Sequence, residues 1–172
     1  MPPSLLWHRS VPYYDEGDLV GRYPAMIAPI RQGSKVIAFH VTYLENGRKA
    51  VLNSARKVIG GRCNGGAVHL YPPGKTLGVA EGIETAIAAH ELFGVPVWST
   101  LNTSLMKNFT PPEGVEKLII FADHDANYAG HAAAYVLAHK MSRLGTTCEV
   151  RMPDQVGDWN DVLLARKTEN VA

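Results

Sequence analysis

A chain of 172 residues, 46% of them hydrophobic, with a formal net charge of +1, has the size of one domain or one domain plus a small lobe, and enough apolar material for a core. No run approaches the roughly 18 apolar residues of a membrane span, and the start Met-Pro-Pro-Ser-Leu-Leu-Trp-His-Arg lacks the basic and apolar regions of a signal peptide. Cys63 and Cys148 lie far apart, which argues against a disulfide framework and a zinc ribbon and for a reducing, cytoplasmic setting.

The small net charge hides an asymmetry. Residues 1–78 hold ten Lys/Arg and four Asp/Glu, whereas residues 79–172 hold seven and twelve. An acidic half beside a basic half suits metal binding next to a lobe that holds a polyanion. Two soluble surfaces that merely differ would give the same count.

Residues 1–34 contain Pro2, Pro3, Pro12, Pro24 and Pro29, and are expected to be irregular, with short extended pieces and no long helix. Val36–Leu44 is rich in β-branched and aromatic residues. The Asn46-Gly47 pair and the return Arg48–Leu52 then predict a hairpin. Residues 53–66 read as a Gly-rich, basic loop carrying Arg56, Lys57 and Arg62, and Ala67–Tyr71 as a short strand.

After Pro72-Pro73-Gly74 the pattern alternates. Strands are expected at 76–80, 95–100, 117–122 and 147–152, and helices near 83–93, 104–108, 129–144 and 160–166. On the third helix, Ala133, Val136, Leu137, Met141 and Leu144 fall at helical spacing on one face. Alternation at these lengths predicts an α/β fold, with about four parallel strands and right-handed crossovers, behind a small β-rich basic lobe. The expected boundaries are a lobe over 1–75, the α/β domain over 76–167, and a frayed tail at 168–172.

Glu81 follows the first of these strands, and Asp123 and Asp125 follow the third. In the common doubly wound order the first and third strands are neighbours, so the three carboxylates meet at the C-terminal edge, where open sheets bind ligands. A few hard oxygen ligands with room for phosphate suit Mg²⁺ or Mn²⁺. Asp158 and Asp161 start the last helix and return to the same edge, though Asp158 reads equally as an N-cap. Glu84, one turn past Glu81, is either an outer support of the site or a favourable charge at a helix N-terminus.

Arg48, Lys49, Arg56, Lys57 and Arg62 are candidates for nucleotide or nucleic-acid contact, against the alternative of a solvated basic face. Gly74-Lys75-Thr76 is not a P-loop, since His69 occupies the first glycine position and a strand follows. His124, between two inward aspartates, is expected to point away. Trp98 and Trp159 are expected to pack, and His131 and His139 to be exposed.

Glu-Gly-x-Glu-Thr-Ala at 81–86, Ala-Asp-x-Asp-x-x-x-x-Gly at 122–130 and Asp-Trp-Asn-Asp-Val-Leu at 158–163 resemble the Toprim domain. More narrowly, the chain resembles the Toprim primases of plasmids, phages and integrative elements. The segments Gly21–Met26, Thr42–Leu44, Gly47–Ala50 and Gly65–Val68 resemble the lobe that precedes Toprim in those primases. The resemblance implies a Rossmann-like Toprim fold. It also implies Mg²⁺ held by Glu81, Asp123 and Asp125, with Gly82 and Gly130 in support. The implied activity is nucleotidyl transfer, making primers on single-stranded DNA from nucleoside triphosphates. A helicase or zinc-binding module would come from another chain. A Toprim nuclease, or a non-catalytic fragment that binds nucleic acid or a helicase, is the alternative.

Overall fold

The computed structural model describes residues 2–169. The chain divides into two compact units, Met1–Cys63 and Asn64–Ala172.

The first unit is a β-structure. Strand β1 (Leu6–Asp15) pairs antiparallel with β2 (Asp18–Gln32), and β2 pairs antiparallel with β3 (Lys35–Glu45). The expected irregular stretch is therefore a long hairpin. Its prolines are tolerated by position. Pro12 lies on β1, which among the described residues pairs with β2 alone, and Pro24 falls in a register shift and takes no rung with either neighbour.

The Asn46-Gly47 turn forms as expected, but the return strand β4 (Arg48–Lys49) is short. Tyr43 explains why: its carbonyl accepts from Ala50 N at 3.0 Å, while its own N–H donates to Ala55 O at 2.8 Å. The edge of β3 thus passes from β4 to β5 (Arg56–Gly60), so Arg56 and Lys57 lie on a strand rather than in the expected loop. Tyr13, Tyr23 and Tyr43 meet edge to face, with centroids 5.0–6.4 Å apart, over Ala25, Val41 and Ala50.

The second unit holds β6 (Ala67–Val68), β7 (Thr76–Ala80), α1 (Ile83–Phe93), β8 (Val97–Ser99), α2 (Thr103–Asn108), β9 (Lys117–Phe121), α3 (Ala129–Arg143), β10 (Thr147–Arg151) and α4 (Trp159–Glu169). The strand expected at 67–71 is only the two residues of β6. Sheet order is β10-β9-β7-β8-β6, with β7 to β10 parallel and β6 antiparallel to β8. This is the expected α/β arrangement, with the first and third parallel strands adjacent. Thr168 and Glu169 are the last residues of α4. The rest of the expected frayed tail, 170–172, lies outside the described residues.

Both faces of this sheet are covered, which is why its strands read as apolar runs. Helix α1 packs with α4, and α2 with α3. Leu77, Val79, Leu118 and Ile120 pack against Ala133, Ala134, Leu137 and Met141 of α3. Phe121 packs with Phe93 and Trp159, at 5.1 and 5.9 Å between centroids. Of the residues expected on the buried face of α3, Val136 and Leu144 are instead 50% and 68% exposed. The buried stripe follows 133, 137 and 141, and Val136 lies about 100° from Leu137.

Candidate active site

The chain steps from β7 to β8 on one side, then crosses to β9 on the other. The gap between the C-terminal ends of β7 and β9 is therefore the point where strand order reverses. Ala80 lies level with Phe121, so Glu81 and Asp123 leave neighbouring strands within a residue of each other.

Glu81 is anchored through its backbone. Its carbonyl accepts from Ser99 Oγ at 2.7 Å and from Leu101 N at 2.8 Å, and Ser99 Oγ also accepts from Leu101 N at 3.2 Å. Ser99 is fully buried. Ser99→Ala is expected to cost about 1 kcal/mol in urea unfolding, since it removes a buried hydroxyl's bond to the Glu81 carbonyl, which then keeps only Leu101 N. A variant as stable as the wild type would show that the anchor carries no weight.

Asp123 follows Ala122, whose N–H donates to Arg151 O at 2.9 Å. Helix α3 comes down on this turn at Gly130. A Cβ there would lie 2.8 Å from Asp123 O and 3.3 Å from Asp125 Oδ2. The loop closes through Tyr128 N, which donates to Asp125 O at 3.0 Å.

The third acidic segment is fixed by a two-bond bridge. His124 N donates to Gly157 O at 2.9 Å, and Gly157 N donates to His124 O at 3.2 Å. The His124 ring is turned to Pro153 O, at 2.9 Å from Nδ1, and to His131. Asp158 is an N-cap: its Oδ1 accepts from Asn160 N at 2.7 Å and Asp161 N at 3.0 Å, while Asp161 Oδ2 accepts from Asp158 N at 3.1 Å. Thr85 Oγ1 donates to Asp158 Oδ2 at 3.4 Å, tying the cap to α1. Gly157, at φ 140°, holds a backbone conformation that residues other than glycine rarely adopt, and a Cβ there would sit 2.7 Å from Asp161 Oδ2 and push the cap aside. A cleft of about 620 Å³ opens beside the cap, walled by Phe93, Trp159, Val162 and residues 152–157.

The electrostatics join these segments. Burial, and then the charges of Glu81, Asp158, Asp125 and Asp161, push Asp123 up from 3.8 to about 7. Glu81 is raised as well, by burial and then by Asp125. Asp123 Oδ1 is buried without a hydrogen-bond partner. Mutually repelling carboxylates with an orphaned buried oxygen fit a divalent cation, and hard oxygen donors suit Mg²⁺ or Mn²⁺. Among the described residues no three His, Cys, Asp or Glu side chains stand around one point as an ion would need. Coordination therefore requires these side chains to turn toward one another.

The Toprim domain family model matches residues 76–169, more than half of the chain. The chain belongs to the Toprim domain family. A family described only as a domain of unknown function (DUF7146) matches residues 1–70 ahead of the Toprim segment. No curated protein matches. Among solved structures, a DNA primase domain from Pseudomonas aeruginosa is 17% identical with a TM-score of 0.58, covering 94% of this chain and 54% of that one. The RNA polymerase domain of Mycobacterium tuberculosis primase DnaG is 17% identical with a TM-score of 0.57, covering 91% and 55%. A DnaG primase catalytic domain bound to ssDNA is 16% identical with a TM-score of 0.55, covering 86% and 49%. The likeness is one of fold, and the chain spans about half the length of the structures it matches.

In the Toprim unit, then, Glu81, Asp123, Asp125, Asp158 and Asp161 form one electrostatic cluster. Gly82 is the N-cap of α1, and Glu84 is exposed in its first turn. Trp159 is buried in the aromatic core, and Trp98 stacks on His69. In the first unit, Arg48, Lys49, Arg56 and Arg62 are exposed. Lys57 has local duties: Nζ donates to Tyr14 O, lies 3.9 Å from Asp15, and sits 4.2 Å over the Tyr13 ring. Sequence reasoning assigned no role to Ser99, Thr85 or Gly157. Thr85 lies inside the Glu-Gly-x-Glu-Thr motif and Gly157 directly before Asp158, so their positions were the available signal. Ser99 is a hydroxyl ending an apolar strand and gave none. No described helix is long and apolar enough to cross a membrane.

Proposed function

We propose that this chain is the nucleotidyltransferase core of a DNA primase, acting with Mg²⁺ or Mn²⁺ to extend primers on single-stranded DNA from nucleoside triphosphates. The observation that carries the reading is Asp123: half-buried, pushed up to about 7, with an unpartnered oxygen at the strand-order reversal and four carboxylates around it. The solved structures that share its fold support it, since they are primase domains and one is bound to ssDNA.

Glu81, Asp123 and Asp125 would hold the cation, with Asp158 and Asp161 as nearby negative charge. The ion would neutralise phosphate oxygens and lower the cost of charge developing on them. Glu81 would assist by taking the proton of an attacking 3′-hydroxyl, a role supported by the burial that raises its affinity for a proton. Ser99 and Leu101 hold its backbone while it does so. Gly130 lets α3 approach closely enough to fix the Asp123–Asp125 turn. Arg48, Lys49, Arg56 and Arg62 are the exposed cations offered to phosphate, and Lys57 supports β5, the strand that carries Arg56. Template selection and helicase coupling would come from a further module or chain.

Template-dependent incorporation on single-stranded DNA tests this reading. Asp123→Asn and Asp125→Asn are each expected to reduce it by about 10²–10³-fold, the scale of losing one electrostatic partner of the transition state. Undiminished incorporation in both variants would remove the carboxylates from the chemistry. Cleavage of the labelled strand without nucleotides, lost in the same variants, would assign the site to a nuclease instead.

A further inference from the structure

The solvent face of α3 carries a row of rings that begins at the carboxylates. Tyr128, His131, Tyr135 and His139 fall within about 80° of one another around the helix. Tyr128 and Tyr135 are 66% and 55% exposed. The Tyr128 ring lies 5.3 Å from that of His131, which lies 5.2 Å from that of His124. His131 Nδ1 is buried without a hydrogen-bond partner. Arg143, exposed, ends the same face.

Two further features set this face apart. Tyr128 has φ 60° and ψ 14°, a left-handed conformation that Gly or Asn adopts at less cost, and it offers α3 no side-chain cap. A bulky ring held in a strained position, three residues from Asp125, is a pattern found at functional sites. The second feature is charge. Residues 79–172 carry twelve Asp/Glu against seven Lys/Arg, yet residues 126–148 contain no Asp or Glu at all. The ring row therefore runs along a long stretch of this acidic half that does not repel phosphate.

We propose that Tyr128, His131 and Tyr135 form a stacking platform for the bases of a single-stranded nucleic acid at the carboxylate centre, with Arg143 meeting its backbone. The proposal rests on the reading of that centre as a site of phosphodiester chemistry. Seven residues of helix rise about 10 Å, close to three base steps of about 3.4 Å. Aromatic faces accept any base, so the platform is sequence-tolerant. A protein partner or a second copy would be served by large aliphatic side chains, and the only such exposed residues on α3 and its C-cap are Val136 and Leu144, the latter at the end far from the carboxylates.

The test is anisotropy of a labelled oligo-dT, and of the same strand with abasic positions, against the wild type, Tyr128→Gly and Tyr135→Ala. Each variant is expected to bind oligo-dT about ten-fold more weakly. Tyr128→Gly should melt no lower than the wild type, because Gly relieves the left-handed strain; a merely structural tyrosine would lower it. The wild type should lose affinity for the abasic strand by more than either variant loses for oligo-dT, and each variant, keeping two of the three rings, should lose less on base removal than the wild type does. Unchanged oligo-dT binding in both variants, with incorporation still lost in Asp123→Asn, overturns the platform and leaves the nucleotidyl-transfer reading standing. Self-association of the wild type in sedimentation velocity, lost in both variants, overturns it in favour of a second copy.

Discussion

Asp123→Asn is expected to cut nucleotide incorporation by about 10²–10³-fold while making the metal-free protein more stable at pH 8. The sign follows from the raised pKa. Asp123 titrates near 3.8 when unfolded and about 7 when folded, so the folded state holds a proton that the unfolded state has released. Below pH 4 the carboxyl is neutral in both states and costs nothing. As pH rises from 4 to 7 the folded state must ionise among four other carboxylates, and stability falls. Above 7 the cost is complete. An amide carries no such charge, so the variant should lack this loss. A full shift of this size would be worth about 4 kcal/mol; partial exposure and screening reduce the expected gain at pH 8 to roughly 1–2 kcal/mol. Thermal melts from pH 4 to 8 check the slope. Addition of Mg²⁺ should reverse the order, because an ion that binds the folded state stabilises the wild type and not the variant. A variant less stable than the wild type at pH 8 without metal would contradict the electrostatic account of the cluster.

Gly130→Ala is expected to damage fold and activity together. The new Cβ would lie 2.8 Å from Asp123 O and 3.4 Å from Asp123 N, and neither backbone atom can swing away as a side chain can. Helix α3 must then lift, yet Ala133, Ala134, Leu137 and Met141 hold it to the sheet. The conflict is expected to cost about 1–3 kcal/mol. Its second effect is local: any lift of α3 drags the Tyr128–Asp125 turn with it and moves Asp125 from Asp123. Incorporation should fall more than the lost stability accounts for at a temperature where the variant is folded. A variant with wild-type melting and activity would show that the close approach is not needed.

The alternating half of the chain was legible because its strands are buried on both faces. Leu77–Ala80 and Leu118–Ala122 are apolar throughout and stop at acidic residues, which marks both the strand ends and the ligand edge. From adjacency of the first and third strands, the meeting of Glu81 with Asp123 follows. The first unit was less legible. Prolines at 12 and 24 argued against long strands, and only the edge position of one and the register shift at the other, both set by pairing, make β1 and β2 possible. Arg56 and Lys57 read as loop because no local pattern announces that β3 exchanges partners at Tyr43. At the site, the dual character of Asp158 was visible but not its resolution. The cap depends on Gly157 pairing with His124, a contact between residues 33 apart.

The central claim is that Glu81, Asp123 and Asp125 hold a divalent cation for nucleotidyl transfer. Calorimetric titration of Mg²⁺ into the wild type, Asp123→Asn and Asp125→Asn at pH 8 tests it most directly. Saturable binding by the wild type that is lost in both variants is the predicted result. Equal binding by all three proteins, or none by the wild type, would contradict it.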